Sequence, residues 1–528
     1  MNHMFDLQDF IFESNPGRQQ LINYTARSNS EAYKIYVYRN HSFEMIEKTI
    51  SAFLDYANLT IDFDYSDYDD SLTFFDLDLG SDLLIIWLDL SRYQSDFEVF
   101  IKERLAFLKS IYKKDILFCF YGGSISLCDP QITLYDISKW ANVLGEKYQD
   151  LRLEKFSGTK MSMDLITTVS KDLGLNYLPS LLKPSIKCIV LDLDNTLYRG
   201  VLGEDGINNI ELTKAHALLQ ERLAELAKSG FFICIASKND QRDVNKLLSE
   251  RKDFLINDTN ITICKASWEP KAQAICDIAE KLNIGINSIL FIDDNIGELI
   301  SVQQAHPEIR TILAKENAEI TLEILNNYPG LFKKGRTNED SLRSLDSKAN
   351  QVRQRIIDNT SKEDFIKQMN IELDFLVNPV NEIYRISELS NKTNQFIFNY
   401  RRYTTAEIEE IMNNNVIVAV SVKDKLSESG IVGVVILKND LQNDWIDLDE
   451  CFVSCRALGR GIDDIIVLGA ISVGLKKLGK IKLHSKIAVG DRNLPAIQFF
   501  EKHLSQFKSP SVFHYLIPSE IVKTSIKE

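Results

Sequence analysis

The chain has 528 residues, 45% of them hydrophobic and 26% charged, and a formal net charge of −14; this length calls for more than one domain, since single cores rarely grow past ~250–300 residues. The acidic balance argues against a nucleic-acid partner, and no apolar run approaches the ~20 residues of a membrane span. The start, MNHMFDLQDF, lacks the basic end and apolar core of a secretion signal, and eight cysteines without a CxxC pair indicate neither zinc nor a disulfide framework, so a reducing cytoplasm is the expected compartment.

Residues 1–183 read as an α/β domain. Ala32–Tyr38 is a predicted strand, Arg39–Ser42 a turn, and Ser42–Leu54 a helix with Ser42 as its N-cap. Asp82–Leu88 and Ile116–Phe120 are further strands, separated by a helical pattern that runs to Ile111. Such alternation predicts a parallel sheet. His41 beside Ser42 hints at a serine hydrolase, but the Gly-x-Ser-x-Gly elbow is absent and no triad follows from the spacing. The domain is expected to dock or pack, and Phe156–Met163 to be a surface loop.

Residues 184–330 repeat strand and helix clearly. The apolar run Cys188–Leu191 delivers Asp192 and Asp194, one residue apart, into a turn. Ala215–Lys228 is a predicted amphipathic helix stopped by Ser229-Gly230. The strand Phe231–Ala236 ends in Ser237-Lys238-Asn239-Asp240. The strand Ile261–Cys264 leads to Trp268-Glu269-Pro270 and a helix over Lys271–Leu282. The strand Ser288–Ile292 ends in Asp293-Asp294-Asn295. Polar residues at carboxyl strand ends are where open α/β sheets bind ligands.

Together these ends form a phosphoryl-transfer kit. A close carboxylate pair needs a cation or a shared proton. Asp192 suits the nucleophile of an aspartyl-phosphate intermediate and Asp194 the acid/base that protonates the leaving oxygen and later activates water. Mg²⁺ accepts one or two carboxylates with water and phosphate, and the expected metal set is Asp192, Asp194, Asp293 and Asp294. Ser237 suits a phosphoryl oxygen, and Lys271 can neutralise nucleophile and phosphate together.

These residues, in this order, resemble the four motifs of the haloacid dehalogenase (HAD) phosphotransferase superfamily, which implies a Rossmannoid parallel sheet. The intervals between motifs hold single helices and leave no room for a cap of even ~50 residues. An uncapped site is expected to receive a bulky or tethered substrate, or to be closed by a neighbouring domain.

Residues 331–362 read as a charged helical connector of mixed sign. Residues 363–528 begin with a donor-rich stretch, Leu389–Phe396, followed by strands over Val416–Val422, Gly430–Leu437 and Trp445–Val453 and a helix from about Ile462. A glycine-bearing loop that opens a helix offers backbone N–H groups to a phosphate. Arg456-x-x-Gly459-Arg460-Gly461 resembles the pyrophosphate loop of GNAT acyltransferases, which implies an α+β domain that takes coenzyme A or a carrier's phosphopantetheine. Asn493–Phe500 is similar to the GNAT segment beside the pantetheine arm, which puts Asn493 among the binding residues.

The series IKCIVLDLDNTLYRGVLGEDG, ASKND, WEPK, FIDDN, NKTNQF and SCRALGRG closely resembles the FkbH-like family over roughly residues 150–505. The resemblance implies an α/β multidomain chain: a non-catalytic, SGNH-like domain (1–183), an uncapped HAD-like phosphatase (184–330), a connector (331–362) and a GNAT-like domain (363–528). It implies removal of phosphate from 1,3-bisphosphoglycerate, a phosphorylated three-carbon acyl donor, and loading of glyceryl onto an acyl carrier protein as a thioester. Cys455, inside the loop and beside Arg456, is the candidate acyl acceptor. Many family members carry Cys one residue before the second-motif Ser, where this chain has Ala236; Cys234 points to the other strand face. Other readings are an acyltransferase of surface-polysaccharide or secondary-metabolite assembly using another acyl group, and a scaffold that only binds a carrier protein.

Overall fold

Short apolar runs, each followed by a polar turn and a helix, build two parallel sheets in the first part of the chain and a largely antiparallel one in the last. The computed structural model describes residues 3–27, 32–93, 97–127, 129, 131–152, 154–332, 349, 353, 356, 360–439, 445–454, 456–458, 460–480, 482–490, 493–504, 511–512 and 522–527, with the side chains of 362, 363, 511 and 512 left out. The chain divides into two compact units: Met1–Ala227, Phe231–Lys281 and Gly285–Arg336 form one, and Lys228–Gly230, Leu282–Ile284 and Thr337–Glu528 the other. Among the described residues no helix is long and apolar enough to cross a membrane.

In the first unit, β1 (Tyr33–Arg39), β2 (Ile61–Tyr68), β3 (Leu83–Asp89), β4 (Ile116–Tyr121) and β5 (Ile132–Asp136) form a parallel sheet in the order β2-β1-β3-β4-β5. Every residue of β3 and β4 is buried, as a parallel sheet covered on both faces requires. The edge strands β2 and β5 are absent from the sequence reading, because IDFDYSDY is too acidic and ITLYD too short to stand out.

Two sequence expectations need correction here. The helix begins at Glu44, capped by Phe43 without a side-chain bond; the Ser42 hydroxyl instead donates to Glu44 Oε2 at 2.5 Å. The stretch 156–163 is only half a surface loop. Phe156 is exposed, but Thr159 and Met161 are buried and Ser162 caps the helix Met163–Asp172. His41 is buried against Trp87, with ring centroids 5.2 Å apart, and burial pushes its pKa down to about 3. A ring held neutral that far down is a poor general base.

The second sheet holds β6 (Cys188–Leu191), β7 (Phe232–Ser237), β8 (Ile261–Ala266), β9 (Ile289–Asp293) and β10 (Arg310–Leu313), all parallel, in the order β10-β9-β6-β7-β8. This is the expected Rossmannoid layer, with β10 as an unforeseen edge. Between β6 and β7 lie only the helices Leu202–Asp205 and Lys214–Lys228, and between β7 and β8 only Gln241–Glu250. No cap interrupts these fully described intervals. The helix His3–Phe12 buries Leu7, Ile11 and Phe12 in the same apolar cluster as Leu191, Leu290 and Ile312. Its Gln8 amide grips β10 like an extra strand: Nε2 donates to Leu313 O at 2.9 Å and Oε1 accepts from Leu313 N at 3.2 Å.

The second unit has the expected α+β architecture. β11 (Glu372–Val377), β12 (Val416–Lys423), β13 (Glu428–Asn439) and β14 (Ile446–Val453) are antiparallel neighbours. β15 (Lys482–Ser485) runs parallel to β14, and β16 (Ser511–Val512) and β17 (Lys523–Lys527) complete the order β16-β15-β14-β13-β12-β11-β17. The helix Asp463–Leu478 packs closely on this sheet, since a Cβ on Gly433 would strike Ile466 and one on Gly474 would strike Leu437. Most of the predicted connector lies outside the described residues. Its Arg353 is buried in a two-pronged pair with Asp424, at 2.7 and 2.9 Å.

Candidate active site

Register brings the acidic residues together. Leu191 pairs with Ile292 across β6 and β9 and with Ile235 across β6 and β7, so Asp192 emerges beside Asp293 and next to Ala236 and Ser237. Asp192 N donates to Ile292 O at 2.9 Å, which fixes the first carboxylate at the sheet end. Lys271, the first residue of the helix Lys271–Leu282, places Nζ 2.9 Å from Asp192 Oδ1 and 2.6 Å from Asp293 Oδ2. All three side chains are buried.

Burial and mutual repulsion set the electrostatics. Burial, then the Asp192 charge, pushes the Asp293 carboxyl up to about 7. Burial also raises Asp192, against the pull of Lys271, and raises Asp294. Desolvation works against the Lys271 charge, but Asp192 and Asp293 outweigh it and hold the ammonium above its ordinary range. One ammonium thus faces three carboxyls that burial already penalises.

That imbalance fits a cation. Asp192, Asp293 and Asp294 offer oxygens that all lie within 4.8 Å of one another. The buried Asp192 Oδ1 meets the Lys271 ammonium at 2.9 Å and has no further donor among the described residues. An all-oxygen donor set suits Mg²⁺. These three residues would hold it, and the bound ion would supply positive charge against phosphoryl oxygens.

Asp194 stands apart from this group, which corrects its place in the expected metal set. Its Oδ1 accepts from Tyr198 Oη at 2.6 Å and Leu202 N at 2.9 Å, and its Oδ2 accepts from Asn239 Nδ2 at 2.9 Å. Both oxygens are committed to orienting donors, as suits an acid/base rather than a ligand. The turn that aims it depends on Asn195 at φ 52°, a conformation that Asn tolerates, and the Asn195 side chain accepts from Gly200 N at 3.0 Å. Ser237 hydrogen-bonds Asp192, and Asn239 Nδ2 also reaches Ser237 Oγ at 3.1 Å. Asn239 and Tyr198 therefore belong to the site although sequence reasoning gave them no role. Their signal was positional: two residues after Ser237 and four after Asp194.

Ser267 N donates to Ser237 O at 3.0 Å, and Trp268, three residues before Lys271, is 76% exposed. Neither position that could bring a cysteine to this strand end does so. Ala236 is fully buried, and Cys234 faces Cys188 with their sulfurs 3.7 Å apart in the core.

The raised carboxyls give a testable stability profile. A carboxyl whose folded pKa is about 7 against an ordinary 3.8 binds more protons folded than unfolded between those values. Stability of the metal-free protein should therefore fall as pH rises from about 4 to 7. Mg²⁺ at a hundredfold excess over its Kd should restore ~2.7 kcal/mol, with the gain growing towards pH 8. Thermal melts with and without Mg²⁺ across that range check this; a melting temperature indifferent to Mg²⁺ at pH 8 refutes the metal set.

The expected cofactor loop of the second unit reads differently. Cys455 and Gly459 lie outside the described residues. Arg456 and Arg460 are buried and reach their own chain: Arg456 Nη2 is 3.5 Å from Ile431 O, and Arg460 Nη1 is 2.9 Å from Ser429 Oγ. Gly461 takes φ 70°, and the helix that follows has no side-chain cap but carries Asp463 and Asp464 in its first turn, where they oppose an anion. Asn493 is fully buried and donates to Ile397 O at 3.0 Å and Ala488 O at 2.8 Å, while its Oδ1 accepts from Gly490 N at 3.0 Å. Its amide is used up by backbone. Asn493 is thus committed to its own backbone rather than to a cofactor.

No family model and no curated protein matches the chain. Among solved structures, it is similar to the N-terminal part of BF1531 from Bacteroides fragilis, which contains a phosphatase domain complexed with Mg, at 20% identity over 60% of this chain and 99% of that one, with a TM-score of 0.47. It is also similar to a mutant of the spermidine N-acetyltransferase SpeG from Vibrio cholerae, at 16% identity over 25% of this chain and 77% of that one, with a TM-score of 0.20.

Proposed function

We propose that the chain is a Mg²⁺-dependent phosphatase of HAD type whose reaction is coupled to acyl transfer. The observation that carries the phosphatase reading is the buried Asp192–Lys271–Asp293 cluster with Asp194 held beside it by three donors. Asp192 attacks phosphorus, Asp194 gives its proton to the departing oxygen, and Asp194 then takes a proton from the water that frees phosphate. Lys271 and Ser237 hold the nucleophile in place throughout.

The family resemblance supports 1,3-bisphosphoglycerate as donor and an acyl carrier protein as acceptor. Chemistry then selects which phosphate the site takes. Attack by Asp192 at the C1 acyl phosphate would leave a free carboxylate and destroy the activation needed for a thioester. The C3 phosphate ester is the substrate that preserves it, and its alkoxide leaving group is the one that needs the Asp194 proton. The carrier thiol attacks the C1 acyl carbon, the C–S bond forms, and phosphate leaves with the C–O bond. The absence of a cap between β6 and β8 suits a substrate attached to something large.

The test is mass spectrometry of a carrier protein incubated with enzyme, Mg²⁺ and 1,3-bisphosphoglycerate. A glyceryl mass on the pantetheine arm is expected. A carrier that ends up with phosphoglyceryl, or gains no mass, sinks the coupled reading, whereas free phosphate released without loading leaves a plain phosphatase.

A further inference from the structure

The pairing of β14 with β15 stops at Leu448 and Ser485, so the last residues of β14 present a bare edge just before the loop at Ser454–Gly461. An amide-bearing arm reaching from that loop into the sheet would have to bond this edge. The chain already occupies it. Phe398 N donates to Cys451 O at 3.1 Å, and Val453 N donates to Phe396 O at 2.9 Å. On the far side, Ala488 N donates to Phe398 O at 2.9 Å. The donor-rich stretch that ends at Phe396 thus feeds a short strand that bridges the gap.

Buried side chains lock that strand from both ends. Glu450, fully buried, accepts from Phe398 N, Asn399 N and Cys451 N, each at 2.9 Å through Oε1, and from Arg401 N at 2.9 Å through Oε2. Asn493 ties Ile397 O to Ala488 O. Phe396 and Phe398 bury their rings against Phe499. A carboxylate that collects several backbone donors resists leaving them, because each would be stranded in the core.

We propose that Phe396–Phe398 is a built-in strand filling the place of a pantetheine arm, so that this acetyltransferase-like unit is closed to coenzyme A and carrier arms at that edge. The strand converts a cofactor cleft into continuous sheet. Asn493 and Glu450 are then positioning residues of the strand and contact no cofactor.

The full-length protein can be titrated calorimetrically with coenzyme A and with pantetheine, while hydrogen exchange follows the amides of Phe398 and Val453. The expected result is that both amides exchange slowly and stay indifferent to either probe up to ~1 mM, whatever binding the calorimeter records elsewhere on the protein. Probe-dependent exchange at either amide overturns the proposal. Fast exchange of both amides without any probe also overturns it, since a strand that opens freely closes nothing. Phosphate release is not read in this experiment, so its outcome is independent of the phosphatase assignment.

Discussion

Asp192→Asn should abolish phosphate release while leaving the protein folded. An amide cannot attack phosphorus, and removal of a catalytic nucleophile typically costs ~10⁴-fold or more in rate. The fold should survive because the substitution removes a negative charge from a site where burial already opposes it. The Asp192 charge is one of the two causes that raise the Asp293 carboxyl, so with Asn at 192 that carboxyl should titrate lower. The metal-free variant should then melt no lower than wild type at pH 8, and Mg²⁺ should stabilise it less. Inorganic phosphate assays and melts on the same preparation check both halves. Release within tenfold of wild type would remove Asp192 as the nucleophile.

Lys271→Met should give the largest loss of stability. Lys271 is the one cation paired with Asp192 and Asp293 among the described residues, and its removal leaves two buried carboxylates facing each other. Breaking a buried pair by deleting one partner typically costs ~3–5 kcal/mol. The sign of the pH dependence identifies the cause. The cost should be greater at pH 8 than at pH 6, because Lys271 is what lowers the Asp293 carboxyl and acid lets that carboxyl take a proton in its place. Saturating Mg²⁺ should recover part of it. Urea titrations at pH 6 and pH 8 measure this. A variant equally destabilised at both values has lost packing of the lysine stem rather than compensation of charge.

The carboxylate pair was legible in the sequence because its pattern is local. Asp192 and Asp194 sit one residue apart after a four-residue strand, and Ser237, Lys271 and Asp293 each mark the end of a strand or the start of a helix. What escaped reading depends on contacts between distant segments. Asn239 matters through its reach to Asp194, 45 residues away in sequence. The edge strands β2, β5 and β10 carry too little apolar pattern to announce themselves. Asn493 resembled a cofactor contact because its surroundings look like those of an acetyltransferase; only its bond to Ile397 O, 96 residues away, shows that it serves the fold. No local pattern in NQFIFN says which edge it will pair with.

The amide grip of Gln8 on β10 bears on how the part holding Asp192 and Lys271 could be cut from its chain. The first helix lies before the first sheet in sequence but packs with the second. A truncation starting near residue 184 would preserve every candidate site residue, yet strip Leu313 of both backbone partners and uncover the seam under Leu7, Ile11 and Phe12. An exposed strand edge beside bare apolar surface invites edge-to-edge aggregation. A soluble catalytic fragment would therefore have to keep the amino-terminal helix, and with it the whole first sheet that lies between.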